Sequence, residues 1–165
     1  NAIQAASVSD DERAPTLYAE YLIDRAVFLI RMQGVEREQL MTLLDFCRKN
    51  IEDLQVREPE IEIAAHLAYM WFYTIYDESY VDAIAAWRKA KDIAQEISYP
   101  DLEKIDAILV PRAEIEVDFG HHDKSIEFLK SGIEICEKHS DSVPYLRKKA
   151  ELLDHIQDVK EIKGE

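Results

Sequence analysis

From Tyr80 to Ile93 the apolar residues Tyr80, Ala83, Ile84, Trp87, Ala90 and Ile93 recur at helical spacing, with charged residues among them. Steps of three and four place all six on one stripe of a helix and leave the polar residues on the other. Ile126, Leu129, Ile133 and Cys136 repeat the pattern. Tyr145, Leu146, Ala150, Leu153, Ile156 and Val159 predict a further amphipathic helix near the C-terminus. Ala68 to Tyr76, AYMWFYTIY, breaks the rule. It is apolar on every side, which predicts a helix covered by neighbours round most of its circumference.

Proline positions organise these helices. Pro15, Pro59, Pro100 and Pro144 are spaced by 44, 41 and 44 residues, and each is followed two positions later by Leu17, Ile61, Leu102 or Leu146. Proline suits the first turn of a helix, where its missing N–H costs nothing. Turn signals fall between the prolines at Gly34, at Tyr76 to Ser79 and at Gly120. Each interval therefore reads as helix, turn, helix. The predicted helices cover 15–33, 35–55, 59–76, 80–97, 101–119, 123–139 and 144–162. The second helices agree in register: Ile51, Ile93 and Ile135 recur at steps of 42, as do Ala83 and Ser125, and Ala90 and Gly132. Small residues seven apart allow two helices to approach closely. The expected fold class is all-α: a helical-repeat array of three antiparallel helix pairs with a C-terminal capping helix. Its units cover about 15–56, 59–98 and 100–140, within a domain at 15–163. Residues 1–14 are small and polar and read as a linker or tag remnant, so the chain reads as part of a longer protein.

Pro111 stands outside the period, inside DAILVPRAEIEV. A mid-helix proline removes a hydrogen bond, here to the carbonyl of Ala107, at a cost of about 3 kcal/mol. Either the helix bends there or two shorter helices meet.

The segment GHHDKSIEFLKSGIEI resembles the tetratricopeptide-repeat family at Gly120, Ser125, Leu129 and Gly132, as does the second unit at Ala83, Trp87 and Ala90. Ala113 matches the small site of a first helix. Trp71 departs from it, as do Met41 and Arg48, and the period exceeds the family's usual one. Longer units of this kind look like those in sensor domains of bacterial regulators. The resemblance implies a curved array whose first helices line a concave groove. Carried over residue by residue, the first unit would present Tyr21, Asp24, Phe28 and Arg31. The second would present Ala65, Ala68, Phe72, Ile75 and Tyr76, and the third Val110, Glu114, Val117 and Asp118. The groove would have an aromatic centre at Phe72 and Tyr76 and an acidic end at Glu114 and Asp118. Either a bound segment, or the last helix or a second copy of the chain, would cover it.

Charge narrows the partners. The net charge of −14 repels phosphate backbones and anionic lipid, so neither direct nucleic-acid contact nor membrane docking is expected. Cys47 and Cys136 fall at apolar helical positions and read as buried free thiols, which fits a reducing, cytoplasmic setting. The longest uncharged run, Ile63 to Tyr76, has 14 residues, short of a membrane span.

Motifs for chemistry are absent. His66 sits among apolar residues, His121 and His122 at a turn, and no zinc, phosphate-loop or nucleophile-elbow pattern occurs. No catalytic residue, metal or cofactor is expected. The sequence reads as a non-catalytic protein- or peptide-binding module, the interaction or effector-sensing part of a larger regulatory protein. Its partner would be an apolar segment carrying basic residues. The alternative is a self-assembly module of a scaffold, acting as a homo-oligomer.

Overall fold

The computed structural model describes residues 2–164, with side chains from residue 13 onward. Its elements are α1 (Ala2–Met32), α2 (Arg37–Glu52), α3 (Pro59–Ile75), α4 (Tyr80–Glu96), α5 (Asp101–Lys104), a π-helical turn (Ile105–Leu109), α6 (Val110–Asp118), α7 (His122–Glu137) and α8 (Val143–Lys163). No strand occurs among the described residues, and no helix there is long and apolar enough to cross a membrane.

Three of the periodic prolines stand at helix starts. Pro59 and Pro144 occupy the first turns of α3 and α8, and Pro100 is the N-cap of α5. Pro15 does not: α1 begins at Ala2 and runs through it. The proline rule fails there because it states where proline is tolerated, and a long helix tolerates one interior loss of a hydrogen bond. Ser79 caps α4 by accepting from the Asp82 amide, 3.4 Å away. The turn before α7 ends on Gly120, whose φ of +75° suits glycine.

Adjacent helices pack in sequence. α3 lies against α4, α7 against α8, and α1 touches both α2 and α3. The continuous rod of α5, π-turn and α6 packs on α7 and meets α3 and α4. The arrangement is consistent with a helical repeat. One apolar core runs through α1 to α4 and reaches Ile108 and Ile115; a second joins α7 and α8 to the rod through Ile105, Leu129, Cys136 and Leu152. Both cysteines are free and buried. Burial pushes the Cys47 thiol up to about 11.

Gly132 shows why the small positions matter. A Cβ there would lie 2.9 Å from Leu152 Cδ1. Leu152 fills the space that glycine leaves, and this sets the rotation of α8. The buried stripe is therefore Leu152, Ile156 and Val159, whereas Leu146 and Leu153, expected in it, are exposed.

Pro111 sits in the first turn of α6, so shorter helical segments meet there, as one of the two expectations had it, and join in one rod. The π-turn precedes it, closed by the Val110 amide on the Ile105 carbonyl. Trp87 Nε1 donates to the Ile108 carbonyl at 2.8 Å. A side chain from α4 thus satisfies a backbone acceptor where the helical ladder is disturbed.

The junction of the second and third units is polar and buried. Glu116 has no exposed surface. It accepts from Arg112, from the Tyr80 hydroxyl at 2.8 Å, and lies 2.7 Å from His121 Nδ1. The Arg112 guanidinium faces the rings of Trp87 at 4.8 Å and Phe128 at 5.1 Å. Its Nε and Nη1 are enclosed without hydrogen-bond acceptors, so the rings supply what partners those N–H groups have.

Candidate binding groove

α1, α3 and the α5–α6 rod lie side by side and leave a cleft of about 350 Å³ between them. Asp24 and Arg31 come from α1, Ala64, Leu67 and Trp71 from α3, and Asp106, Val110, Pro111 and Glu114 from the rod. Arg31 lies over the Trp71 ring at 5.3 Å. Two smaller hollows continue the cleft. One of about 220 Å³ shares Ile23, Asp24 and Ala64 with it and adds Glu20 and Glu60. The other, of about 160 Å³, shares Glu114 and adds Asp118, Asp158 and His155 from α6 and α8. Together they form a groove across the first helices of the units and onto α8.

Its electrostatics are one-sided. Glu20, Asp24, Glu60, Asp106, Glu114, Asp118 and Asp158 line it, against Arg31 and His155. Lys148 of α8 reaches Asp106 at 2.9 Å and offsets that charge. Burial raises the Glu114 carboxyl above its usual range, with Arg31 and His155 pulling it down and Asp118 pushing it up. Burial also raises Asp118. Carboxylates held where ionisation is costly gain from an incoming cation.

The structure brings Asp24, Arg31 and Glu114 together in the central cleft and places Asp118 in the adjoining hollow. Val110 and Val117 line these hollows as expected. Tyr21 and Phe28 are 57% and 61% exposed, on the outward arc of α1 and outside the lining of the cleft.

The expected centre of the groove is corrected. Ala68 and Phe72 have no exposed surface. Phe72 stacks on Tyr76 at 5.7 Å, nearly parallel, beneath the Arg37 guanidinium at 5.3 Å. Arg37 is itself fixed by Asp77 through two hydrogen bonds, at 2.5 and 2.9 Å. Tyr76 is half-buried, and its hydroxyl is enclosed without a partner. The physical reason is a rotation of α3. One residue is 100° on a helix, so turning 68 and 72 into the core brings 67 and 71 to the groove. Trp71, the departure from the family pattern, is the aromatic at its wall; 8% of it is exposed, beneath Arg31, and the half-buried Ala64 and Leu67 extend its stripe. Trp71 was legible as an anomaly; only the packing of α3 decides which way it points.

Comparison with known proteins adds no relative: no family model, no curated protein and no solved structure matches the chain.

Proposed function

We propose that this domain is a non-catalytic, tetratricopeptide-like interaction array that binds an apolar segment carrying basic residues in the groove across α1, α3, α6 and α8. The excess of carboxylates over cations around the one groove-facing tryptophan carries this reading. Trp71 and Leu67 offer the apolar anchor, and Asp24 and Glu114 flank it. An exposed ion pair contributes only about 0–1 kcal/mol, so the apolar contact supplies affinity and the acids supply orientation and selectivity. Within a larger regulatory protein, such binding would report an effector or recruit a partner.

Panning a displayed peptide library against the immobilised domain tests the reading. Selected peptides are expected to pair Lys or Arg with large apolar residues. They should bind the Asp24→Asn/Glu114→Gln variant several-fold more weakly. Selected peptides without basic residues, or equal binding to that variant, would refute it.

Self-assembly is the second reading, favoured by a separate observation. Leu17, Tyr18, Tyr21, Phe28 and Met32 are 47–63% exposed, and all five fall within about 100° of arc on α1. Sedimentation at several dilutions tests it: a dimer that Phe28→Lys disperses supports the second reading, and a monomer at all concentrations removes it.

A further inference from the structure

The repeat makes a second kind of hollow, on the opposite side of the array from the groove. A shift of 42 residues carries Glu52, Arg57, Glu62, His66 and Lys89 onto Ala94, Tyr99, Lys104, Ile108 and Ser131. Both sets line clefts, of about 510 Å³ and about 390 Å³. The same cleft therefore opens twice, at the junction of units one and two and at that of units two and three.

The two copies differ in chemistry. In the first, the acids are paired with arginines, and Lys89 stands beside His66. Arg57 holds Glu62 at 2.9 Å and Glu96 at 2.6 Å, and Arg48 sits near Glu52. In the second, Glu62 is replaced by Lys104, and Lys91 stands with it. None of the residues lining this cleft is Asp or Glu, and neither lysine is in an ion pair among the described residues. Lys91 Nζ lies 5.5 Å from the Trp87 ring. The floor is apolar and aromatic: Trp87 meets Phe128 edge-on at 6.0 Å, and Ile108 and Leu109 come from the π-turn. π-helical turns recur at functional sites, and here the turn delivers two of the lining residues.

We infer that this cleft is a binding site for a small planar anion, a molecule with a flat apolar body and a carboxylate, sulfonate or phosphate group. Its volume lies within the range of small-molecule sites, about 300–1,000 Å³. A flat ring lies on the floor beside Trp87, and the anionic group reaches Lys91 and Lys104. The net charge of −14 does not prevent this. Screening over about 8 Å at physiological salt limits the distant charge, so Lys91 and Lys104 in the lining act on the anion against Glu60 and Glu103, which reach the cleft at Tyr99. The site is opposite in sign to the peptide groove and independent of it.

The probes are 1-anilinonaphthalene-8-sulfonate and its uncharged counterpart, N-phenyl-1-naphthylamine, titrated by fluorescence into the parent domain. Two variants are compared after their folding is confirmed by circular dichroism: Lys91→Gln/Lys104→Gln, and Ser131→Trp, which fills the cleft from its exposed edge. The sulfonate should bind the lysine variant about tenfold more weakly, as expected when two ammonium groups no longer face the anion. The uncharged dye should bind both lysine states alike. Ser131→Trp should abolish binding of both. Sulfonate binding unchanged in Ser131→Trp would overturn the inference. So would equal loss of both dyes in the lysine variant, or no binding of the sulfonate to the parent.

Discussion

Replacing Glu116 by alanine should be among the most damaging single changes in the chain. Glu116 is fully buried and receives Arg112, Tyr80 and the His121 ring. Its removal leaves the Arg112 guanidinium, itself only 9% exposed, with the Tyr80 hydroxyl at 3.2 Å and three aromatic faces. Breaking one side of a buried ion pair costs about 3–5 kcal/mol, because the surviving charge stays desolvated. A cavity the size of the lost carboxylate adds to that. A urea slope of about 2 kcal/mol per molar turns this into a midpoint lowered by roughly 1.5–2.5 M. Because domains are stable by only about 5–15 kcal/mol, the variant would be partly unfolded in mild denaturant. The double change Arg112→Met/Glu116→Leu removes both charges and keeps the volume, and buried pairs replaced in this way are often neutral or better. Equilibrium urea unfolding followed by circular dichroism, on the parent, Glu116→Ala, the singles Arg112→Met and Glu116→Leu and their double, measures the coupling. The reasoning is refuted if Glu116→Ala unfolds within about 1 kcal/mol of the parent, or if the double variant is as damaged as the two singles added together.

Trp87→Ala should cost about 3–5 kcal/mol by cavity formation and loss of the Ile108 carbonyl's partner, read from thermal melts; an unchanged melt would show that α4 does not pack as described. Gly132→Ala should destabilise by about 1–3 kcal/mol, because the new methyl meets Leu152, and its cost should shrink when it is made in a Leu152→Ala background. Glu114→Gln should stabilise the domain at neutral pH. The folded Glu114 carboxyl lies above its unfolded value, near 4.3, so its ionisation disfavours folding once pH rises past that value. The gain from Glu114→Gln should fade as pH falls through the carboxylate range, and a gain independent of pH would count against the assignment to Glu114 ionisation.

Much of the fold was legible in the chain. Pro59, Pro100 and Pro144 mark helix starts, and the stripe through Ala83, Trp87 and Ala90 is buried as its period implies. These signals are local, and local rules read them. What escaped depends on contacts between helices. Pro15 lies inside α1, because a tolerance rule does not compel a helix to begin. In α8, Leu152 takes the buried place expected of Leu153 because it enters the space over Gly132, while Ile156 and Val159 stay in the stripe. α3 is apolar round most of its circumference, so its sequence leaves open which of its large residues face the groove. That ambiguity exchanged Phe72 for Trp71. Asp24 lines the cleft from α1, while α6 buries Arg112 and Glu116 beside Ala113 and Ile115, so its sequence alone did not tell which of its acids face the groove. The lysine cleft had one available signal, the replacement of Glu62 by Lys104 at a step of 42, but the hollow itself arises only when α4 and α7 flank the π-turn.

The most direct test of the central claim is an amide NMR titration of the domain with the tightest peptide recovered from the panned library. Binding in the groove predicts shifts at Asp24, Ala64, Leu67 and Glu114 and at the Trp71 indole. The exposed arc of α1 at Tyr18 and Met32 and the lysine cleft at Lys91 and Lys104 should stay still. Shifts confined to that arc or that cleft, with the Trp71 indole unmoved, would contradict the account.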